Sequence, residues 1–143
     1  MTKIHLVCAN CGAINRIPQE RLSMSPQCGK CQKALFAGTV LQLGETSFDR
    51  YVKHDELPFL VDFWAPWCGP CQSMALAYQD AARELEPAMR LAKVNTEEHS
   101  QLAARFKIRS IPTLILFHQG KELRRQSGAM NREQIVHWAQ GRG

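Results

Sequence analysis

Residues 59–71 read Phe59-Leu60-Val61-Asp62-Phe63-Trp64-Ala65-Pro66-Trp67-Cys68-Gly69-Pro70-Cys71, and this stretch decides the fold and the chemistry of the chain. Its first six residues are largely apolar and predict a buried strand, and helical spacing of apolar residues begins just after the stretch. At the start of a helix, Cys68 meets the positive end of the helix dipole, which favours the thiolate that attacks disulfides. The stretch therefore predicts thiol–disulfide exchange, with Cys68 as an exposed nucleophile and Cys71, one turn into the helix, as a more buried resolving thiol.

The length and composition of the chain predict one ordinary domain with a small appendage. The chain has 143 residues, of which 45% are hydrophobic and 22% charged, and it has no apolar run long enough to span a bilayer. The N-terminus lacks the long apolar segment of a secretory signal, so we expect a cytoplasmic protein without membrane attachment. The formal charge of +5 comes without any block of five basic residues, and nucleic-acid binding is therefore not favoured.

The other four cysteines form two further CxxC pairs near the N-terminus. Cys8 and Cys11 are separated from Cys28 and Cys31 by 16 residues, a spacing typical of a four-cysteine zinc ribbon. A segment this short buries too little apolar surface to fold alone, so a metal cross-link is needed. Four thiolates leave no open coordination position, which predicts one structural zinc ion. Iron fits the same ligands, and two disulfides are a weaker alternative in a reducing compartment.

Two further interpretations of the cysteines remain open. A metal bound by Cys68 and Cys71 is disfavoured, because the four N-terminal cysteines already form a complete ligand set. Oxidation of those four thiolates would release the metal, which leaves a regulatory role for the N-terminal site possible.

The sequence pattern changes near residue 38, from short polar turns to longer periodic elements. We therefore predict a zinc-ribbon arm over residues 1–38 and an α/β domain over residues 39–143, whose mixed central sheet is flanked by helices. The predicted strands cover 39–43, 58–64, 90–95, 113–117 and 122–125. Four helices are predicted: one after the cap Ser47, one over residues 69–85, one that carries Leu102, Ala103 and Phe106, and one after the cap Asn131.

Several motifs of this domain occur together in one known family. The segments Asp62 to Cys71, Lys93-Val94-Asn95, Ser110-Ile111-Pro112-Thr113 and Gly128-Ala129, in this order, resemble the thioredoxin family over about residues 39–143. With its N-terminal cysteines, the chain is similar to the zinc-containing bacterial members of that family. The resemblance implies a thioredoxin fold and a monomeric protein-disulfide reductase of the bacterial cytoplasm. Such a protein acts on disulfide-containing client proteins and is recharged by thioredoxin reductase, an NADPH-linked flavoenzyme.

The resemblance also implies roles for individual residues. Asp62 would accept and deliver the proton of Cys71, and Lys93 would tune the charge of Asp62. Burial would raise the pKa of such an acid, although strand alternation also permits Asp62 to face solvent. A cis peptide bond before Pro112 would position a docking platform, on which the backbone of Ile111 pairs with an extended client peptide. The members of this platform are Trp67, Gly69, Pro70, Ile111, Pro112, Gly128 and Ala129.

One residue departs from the family pattern, and two other functions stay open. Leu76 stands where the helix after the second cysteine normally carries a proline, which predicts a straighter helix. In one alternative function, the ribbon binds nucleic acid or unfolded protein and the larger domain is only a scaffold. In the other, the dithiol acts as an oxidase or isomerase, which the Gly69-Pro70 pair and the missing export signal disfavour.

Overall fold

The computed structural model describes residues 2–141. Met1, Arg142 and Gly143, at the outer ends of the two predicted units, lie outside the described residues. The elements in chain order are β1 (Lys3–Val7), β2 (Ile14–Pro18), a 3-10 turn (Gln19–Arg21), β3 (Leu41–Gln42), α1 (Phe48–His54), β4 (Phe59–Trp64), α2 (Gly69–Leu85), β5 (Arg90–Asn95), α3 (Ser100–Arg105), β6 (Thr113–His118), β7 (Lys121–Ser127) and α4 (Arg132–Ala139).

The larger part of the molecule is built on a five-stranded sheet in the order β3-β5-β4-β6-β7. β4 pairs in parallel with β5 and antiparallel with β6, and β6 and β7 form a hairpin around Gln119-Gly120. The predicted mixed sheet is therefore confirmed, with the strand that precedes the cysteine pair at its centre. β1 and β2 form a separate antiparallel pair in the N-terminal arm.

The central strand β4 sends alternate side chains to two apolar layers, as strand geometry requires. Phe59, Val61 and Phe63 pack with α1 and α3 on one face of the sheet. Leu60 packs with α2 and α4 on the other face. Asp62 follows Leu60 by two residues and therefore points toward the α2 side, which is covered rather than open to solvent.

Three local predictions were wrong in detail. The first strand of the larger sheet is only Leu41–Gln42 and not 39–43, because it pairs with β5 at just two positions. Ser47 occupies the cap position of α1, but its hydroxyl accepts the N–H of Gly44 (2.9 Å) and not a helix N–H. The helix predicted to carry Leu102, Ala103 and Phe106 ends at Arg105, with Phe106 as its C-cap residue. The arm also contains the strands β1 and β2, which the sequence analysis did not specify. By contrast, Asn131 does cap α4, because its side chain accepts the N–H of Gln134.

Candidate dithiol site and metal centre

The loop after β4 delivers Cys68 to the first position before α2. Its backbone is extended (φ −86°, ψ 112°), so Cys68 is the N-cap residue of the helix. The Cys71 N–H donates to Cys68 Sγ at 3.2 Å, and the Gln72 N–H donates to the Cys68 carbonyl at 3.1 Å. A helix N–H directed at this sulfur would stabilise negative charge on it in the reduced protein, and the role of Cys68 as the nucleophile stays a prediction.

Cys68 and Cys71 form a disulfide, with their Cα atoms 5.3 Å apart. The expectation that Cys68 is exposed is wrong for this disulfide state, because only 4% of Cys68 and 3% of Cys71 is exposed. Cys68 Sγ lies 3.8 Å from the Ile111 carbonyl oxygen, and both cysteines pack in a small apolar cluster with Ala65. The two sulfurs therefore differ in their helix contacts more than in their exposure.

Asp62 is a buried carboxyl group behind the cysteine pair. Only 4% of it is exposed, and its Oδ1 atom has no hydrogen-bond partner among the described residues. Desolvation raises its pKa to about 7, although the nearby positive charge of Lys93 opposes the rise. This outcome excludes the solvent-facing orientation, and it gives Asp62 an affinity for protons suited to exchange near neutral pH.

Lys93 lies beside Asp62 on the neighbouring strand, because the two residues are paired in the parallel register of β4 and β5. Its ammonium group lies 5.0 Å from the centre of the Trp64 ring, within range of a cation–π contact. A cavity of about 530 Å³ is lined by Asp62, Trp64, Lys93 and Cys71, together with residues of α2. Cys71 and the buried acid Asp62 therefore line the same cavity.

Leu76 lies on α2 at the edge of this cavity and is 68% exposed. The helix continues through this position without interruption from Gly69 to Leu85, as expected without a proline. An apolar side chain thus replaces a helix-kinking residue next to the space that contains Asp62 and Cys71.

Of the docking residues predicted from the family, Ile111 packs against the disulfide. The Ile111–Pro112 peptide bond is cis, and the Gly128 N–H donates to the Pro112 carbonyl at 2.9 Å. Gly128 has a φ of +100°, a conformation that suits glycine. Trp67 is 71% exposed, and Gly69, Pro70 and Ala129 are also exposed. These features are compatible with a docking platform, and the role of these residues in client binding stays a prediction.

Cys8, Cys11, Cys28 and Cys31 converge on one point in the arm. Their sulfur atoms all lie within 4.8 Å of one another, and the Cys8–Cys31 and Cys11–Cys28 sulfur pairs are 3.6 Å apart. Tetrahedral coordination with zinc–sulfur bonds of about 2.3 Å separates the sulfurs by about 3.8 Å. The spacing and the all-thiolate donor set therefore fit a four-coordinate metal ion.

Each half of this cysteine cluster is a tight loop of the same design. The Cys8 N–H donates to the Ala13 carbonyl (2.8 Å), and the Cys8 carbonyl accepts the Gly12 N–H (2.9 Å). The second loop repeats both bonds with Cys28, Lys33 and Gln32, at 2.8 and 2.9 Å. In both loops the N–H two residues after the first cysteine donates to its sulfur at 3.4 Å.

A buried ion pair joins the arm to the larger domain, and the sequence analysis did not find it. Arg90, at the start of β5, donates to Asp55 and to the Val7 carbonyl, both at 2.7 Å, and to the Leu35 carbonyl at 3.3 Å. The Val7 N–H donates back to Asp55 at 3.1 Å. Val7 directly precedes Cys8, so the metal centre lies one residue from this network. An arginine at the head of an apolar strand was the only sequence signal.

The arm also packs on α1 and on the segment between α1 and β4. The Tyr51 hydroxyl donates to the Cys8 carbonyl at 3.0 Å, and the Glu56 N–H donates to the His5 carbonyl at 2.9 Å. Leu6, Leu35 and Leu57 form an apolar cluster with two of the cysteines. The arm is therefore an integral layer on the domain rather than a mobile appendage.

A mixed sheet flanked by helices, with a cysteine pair at the N-terminus of a helix and a buried acid behind it, defines a thiol–disulfide oxidoreductase. Comparison with known families agrees. Residues 39–141 match the thioredoxin family model, and residues 7–33 match the model described as "Thioredoxin 2, N-terminal", a zinc ribbon. The chain therefore belongs to the thioredoxin family.

Individual relatives support the same assignment. Thioredoxin C-3 of Corynebacterium nephridii is 41% identical over 133 residues, which cover 93% of this chain and 91% of that protein. The thioredoxin of Pyropia yezoensis is 39% identical over 98 residues, or 68% of this chain and 92% of the relative. Thioredoxin 1 of a Nostoc species is 42% identical over 89 residues, or 62% and 83%. No helix within residues 2–141 has the length and apolar content required to cross a membrane.

Proposed function

We propose that this chain reduces disulfides in client proteins with the Cys68/Cys71 dithiol. In the first step the Cys68 thiolate attacks one sulfur of a client disulfide, and the second client sulfur leaves as a thiolate that takes a proton from solvent. The observation that carries the proposal is the N-terminus of α2, where the Cys71 N–H donates to Cys68 Sγ at 3.2 Å. This donor stabilises the sulfur as an anion in the reduced protein.

In the second step Cys71 attacks Cys68 Sγ and releases the remaining client sulfur. The Cys71 proton passes to the Asp62 carboxylate, and Lys93 keeps enough of Asp62 ionised to accept it. A Cys68–Cys71 disulfide forms as the client disulfide is lost, so two electrons move from the protein to the client. The pKa of about 7 for Asp62 and the shared cavity support this role.

The client is proposed to dock beside Ile111 and Pro112 as an added strand, with Trp67 and the Gly128-Ala129 turn at its sides. Gly69 and Pro70 complete this surface at the start of α2. The exposure of Trp67 and the position of the Ile111 carbonyl next to Cys68 support this arrangement. The reduced dithiol is then restored by thioredoxin reductase, an NADPH-linked flavoenzyme.

Trapping of the mixed disulfide tests this reaction sequence. Cys71→Ser should accumulate a covalent client complex that a reducing agent cleaves, because the second step has no attacking thiol. Cys68→Ser should form none and should lose insulin-disulfide reduction. Equal trapping by both variants, or insulin reduction by Cys68→Ser at the wild-type rate, would show that Cys68 is not the nucleophile.

We propose further that Cys8, Cys11, Cys28 and Cys31 hold one zinc ion in preference to iron. With all four positions taken by thiolates, a bound ion would supply a structural cross-link and no open site for chemistry. Metal analysis of the purified protein should return about one zinc per chain. Less than about 0.2 zinc per chain after purification without chelators would contradict the assignment, and an iron content near one would replace zinc with iron.

The remaining proposals concern the setting of the protein. We place it as a monomer in the bacterial cytoplasm, divided into the arm (1–38) and the thioredoxin domain (39–143). A centre of four reduced thiols suits a reducing compartment, which supports this location. Fractionation and light scattering would test the location and the monomeric state.

A further inference from the structure

Two side-chain amides reach between the two halves of the cysteine cluster. Asn15 lies on β2, outside both loops. Its Nδ2 donates to Cys28 Sγ at 3.5 Å and to the Ala13 carbonyl at 3.3 Å, while its Oδ1 accepts the Gly29 N–H at 2.9 Å. One amide therefore contacts the end of the first loop, the backbone of the second loop and a sulfur atom.

Asn10 makes the reciprocal contact from the first loop. Its Nδ2 donates to Cys31 Sγ, in the second loop, at 3.5 Å. Its backbone N–H donates to the sulfur of its own loop, on Cys8, at 3.4 Å. Asn10 thus ties the first loop to a sulfur of the second loop, and Asn15, just after the first loop, is bonded to another sulfur of the second loop.

These contacts act on the two costs of bringing four thiolates together. The first cost is repulsion, because four negative sulfurs around one divalent ion leave a net negative centre, and N–H donors disperse charge on the sulfurs. The second cost is ordering, because the ligands come from two loops far apart in sequence. Bonds that hold the loops in place before the metal arrives reduce that second cost.

We propose that Asn15 and Asn10 are positioning residues of the metal centre, which hold the two loops at metal-binding separation and disperse negative charge on Cys28 and Cys31. The inference rests on the proposed zinc site. Asn15 carries the larger share, because it is half-buried and makes three hydrogen bonds. Asn10 is exposed, so water competes for its single side-chain bond.

Zinc competition with a chromogenic chelator measures the effect on the full-length reduced protein. Asn15→Ala should raise the zinc dissociation constant about 10- to 100-fold, the usual cost of removing a group that holds a metal ligand. Asn10→Ala should raise it less than about tenfold. Gln19→Ala is the control, because this exposed amide lies on the 3-10 turn of the arm, outside both cysteine loops. It should leave the constant within about twofold.

A second variant separates the bond to sulfur from the bond to the backbone. Asn15→Asp keeps an acceptor for the Gly29 N–H but removes the donor to Cys28 and places a negative charge beside it. We expect zinc binding at least as weak as in Asn15→Ala. Zinc binding by Asn15→Asp at wild-type strength would show that the N–H of Asn15 does not stabilise the charge on Cys28.

Thermal melting separates positioning from general structural support. A positioning role lowers the melting temperature of Asn15→Ala more in the zinc-loaded form than in the zinc-free form, since lost metal affinity adds to the loss of the bonds themselves. Equal losses in the zinc-free and zinc-loaded forms would overturn the proposal, as would unchanged zinc affinity. Failure of the wild-type protein itself to bind zinc would instead refute the proposed zinc site.

Discussion

Replacement of Asp62 by asparagine should stabilise the protein at alkaline pH, although it removes a group proposed for catalysis. The ionised carboxylate is buried and has an oxygen without a hydrogen-bond partner among the described residues. Asparagine has nearly the same shape and no charge. The substitution therefore isolates the cost of burying one negative charge behind the disulfide.

The size of this cost follows from the pKa of Asp62, which rises from an ordinary 3.8 to about 7 in the folded protein. The folded state holds this proton more tightly than the unfolded state. The stability contributed by the protonated Asp62 is therefore fully present below about pH 4 and is lost as the pH rises toward 7. A shift of about 3 units corresponds to about 4 kcal/mol. The free energy of unfolding of Asp62→Asn should exceed that of wild type by about this much above pH 8, and by about half of it near pH 5.5.

Urea unfolding of the disulfide form provides the measurement, because the two catalytic thiols then do not titrate. The free energy of unfolding is compared between wild type and Asp62→Asn from pH 5.5 to 9, so that groups common to both proteins cancel. Glu97→Gln is the control, since Glu97 is exposed, and it should show no gap that grows with pH. A constant gap across this range, or a less stable Asp62→Asn protein at pH 9, would refute the reasoning.

Four further outcomes are expected. Asp62→Asn should slow the release of a trapped client by Cys71 about tenfold or more near pH 7, and an unchanged single-turnover rate would remove Asp62 from the proton path. Arg90→Met leaves Asp55 buried without its cation, so urea unfolding should show a loss of about 3–5 kcal/mol; a loss below about 1 kcal/mol would contradict the buried network. Leu76→Pro should cost about 3 kcal/mol, against less than about 0.5 for Leu76→Ala, and equal costs would show that α2 accepts a kink freely. Removal of zinc by a chelator under reducing conditions should lower the melting temperature by about 5 °C or more. Identical melting curves would show that metal binding in the arm does not contribute to the stability of the domain.

The elements that sequence predicted best are those whose signal is local. β4 and α2 follow from an apolar run and a helical repeat, and the cysteine pair marks the junction between them. The metal centre follows from the spacing of two CxxC pairs, because a loop of that size brings its own sulfurs together. Each strand, helix and CxxC turn is formed by residues within a few positions of one another, and the two CxxC pairs of the arm have a recognisable spacing of 16 residues.

The features that sequence could not predict depend on what packs against a residue from elsewhere in the chain. Alternation along β4 allowed Asp62 to face either solvent or protein, and only the position of α2 over that face decides between them. The sequence pattern indicated that Arg90 is the polar end of a strand, but the arm covers its side chain and supplies two backbone carbonyls that accept its hydrogen bonds. The partners of Arg90 are 35 to 83 positions away, beyond the reach of any local pattern.

The three CxxC pairs begin with the same turn, and the residue after each pair determines whether the chain reverses or continues as a helix. In each pair the N–H of the residue after the second cysteine donates to the carbonyl of the first cysteine, at 2.9, 2.9 and 3.1 Å. In the arm that residue is Gly12 or Gln32, whose positive φ of 77° or 63° ends the turn and reverses the chain. Two such loops can then face each other and present four sulfurs.

In the larger domain the corresponding residue is Gln72, which continues helically into α2. The long helix behind Cys68 and Cys71 directs its N-terminus at one sulfur, and its apolar face covers the Asp62 side of the sheet. A second cysteine loop has no comparable face to approach. Continuation of the turn as a helix therefore favours an ionised, exchange-competent pair, while its reversal favours a closed metal centre.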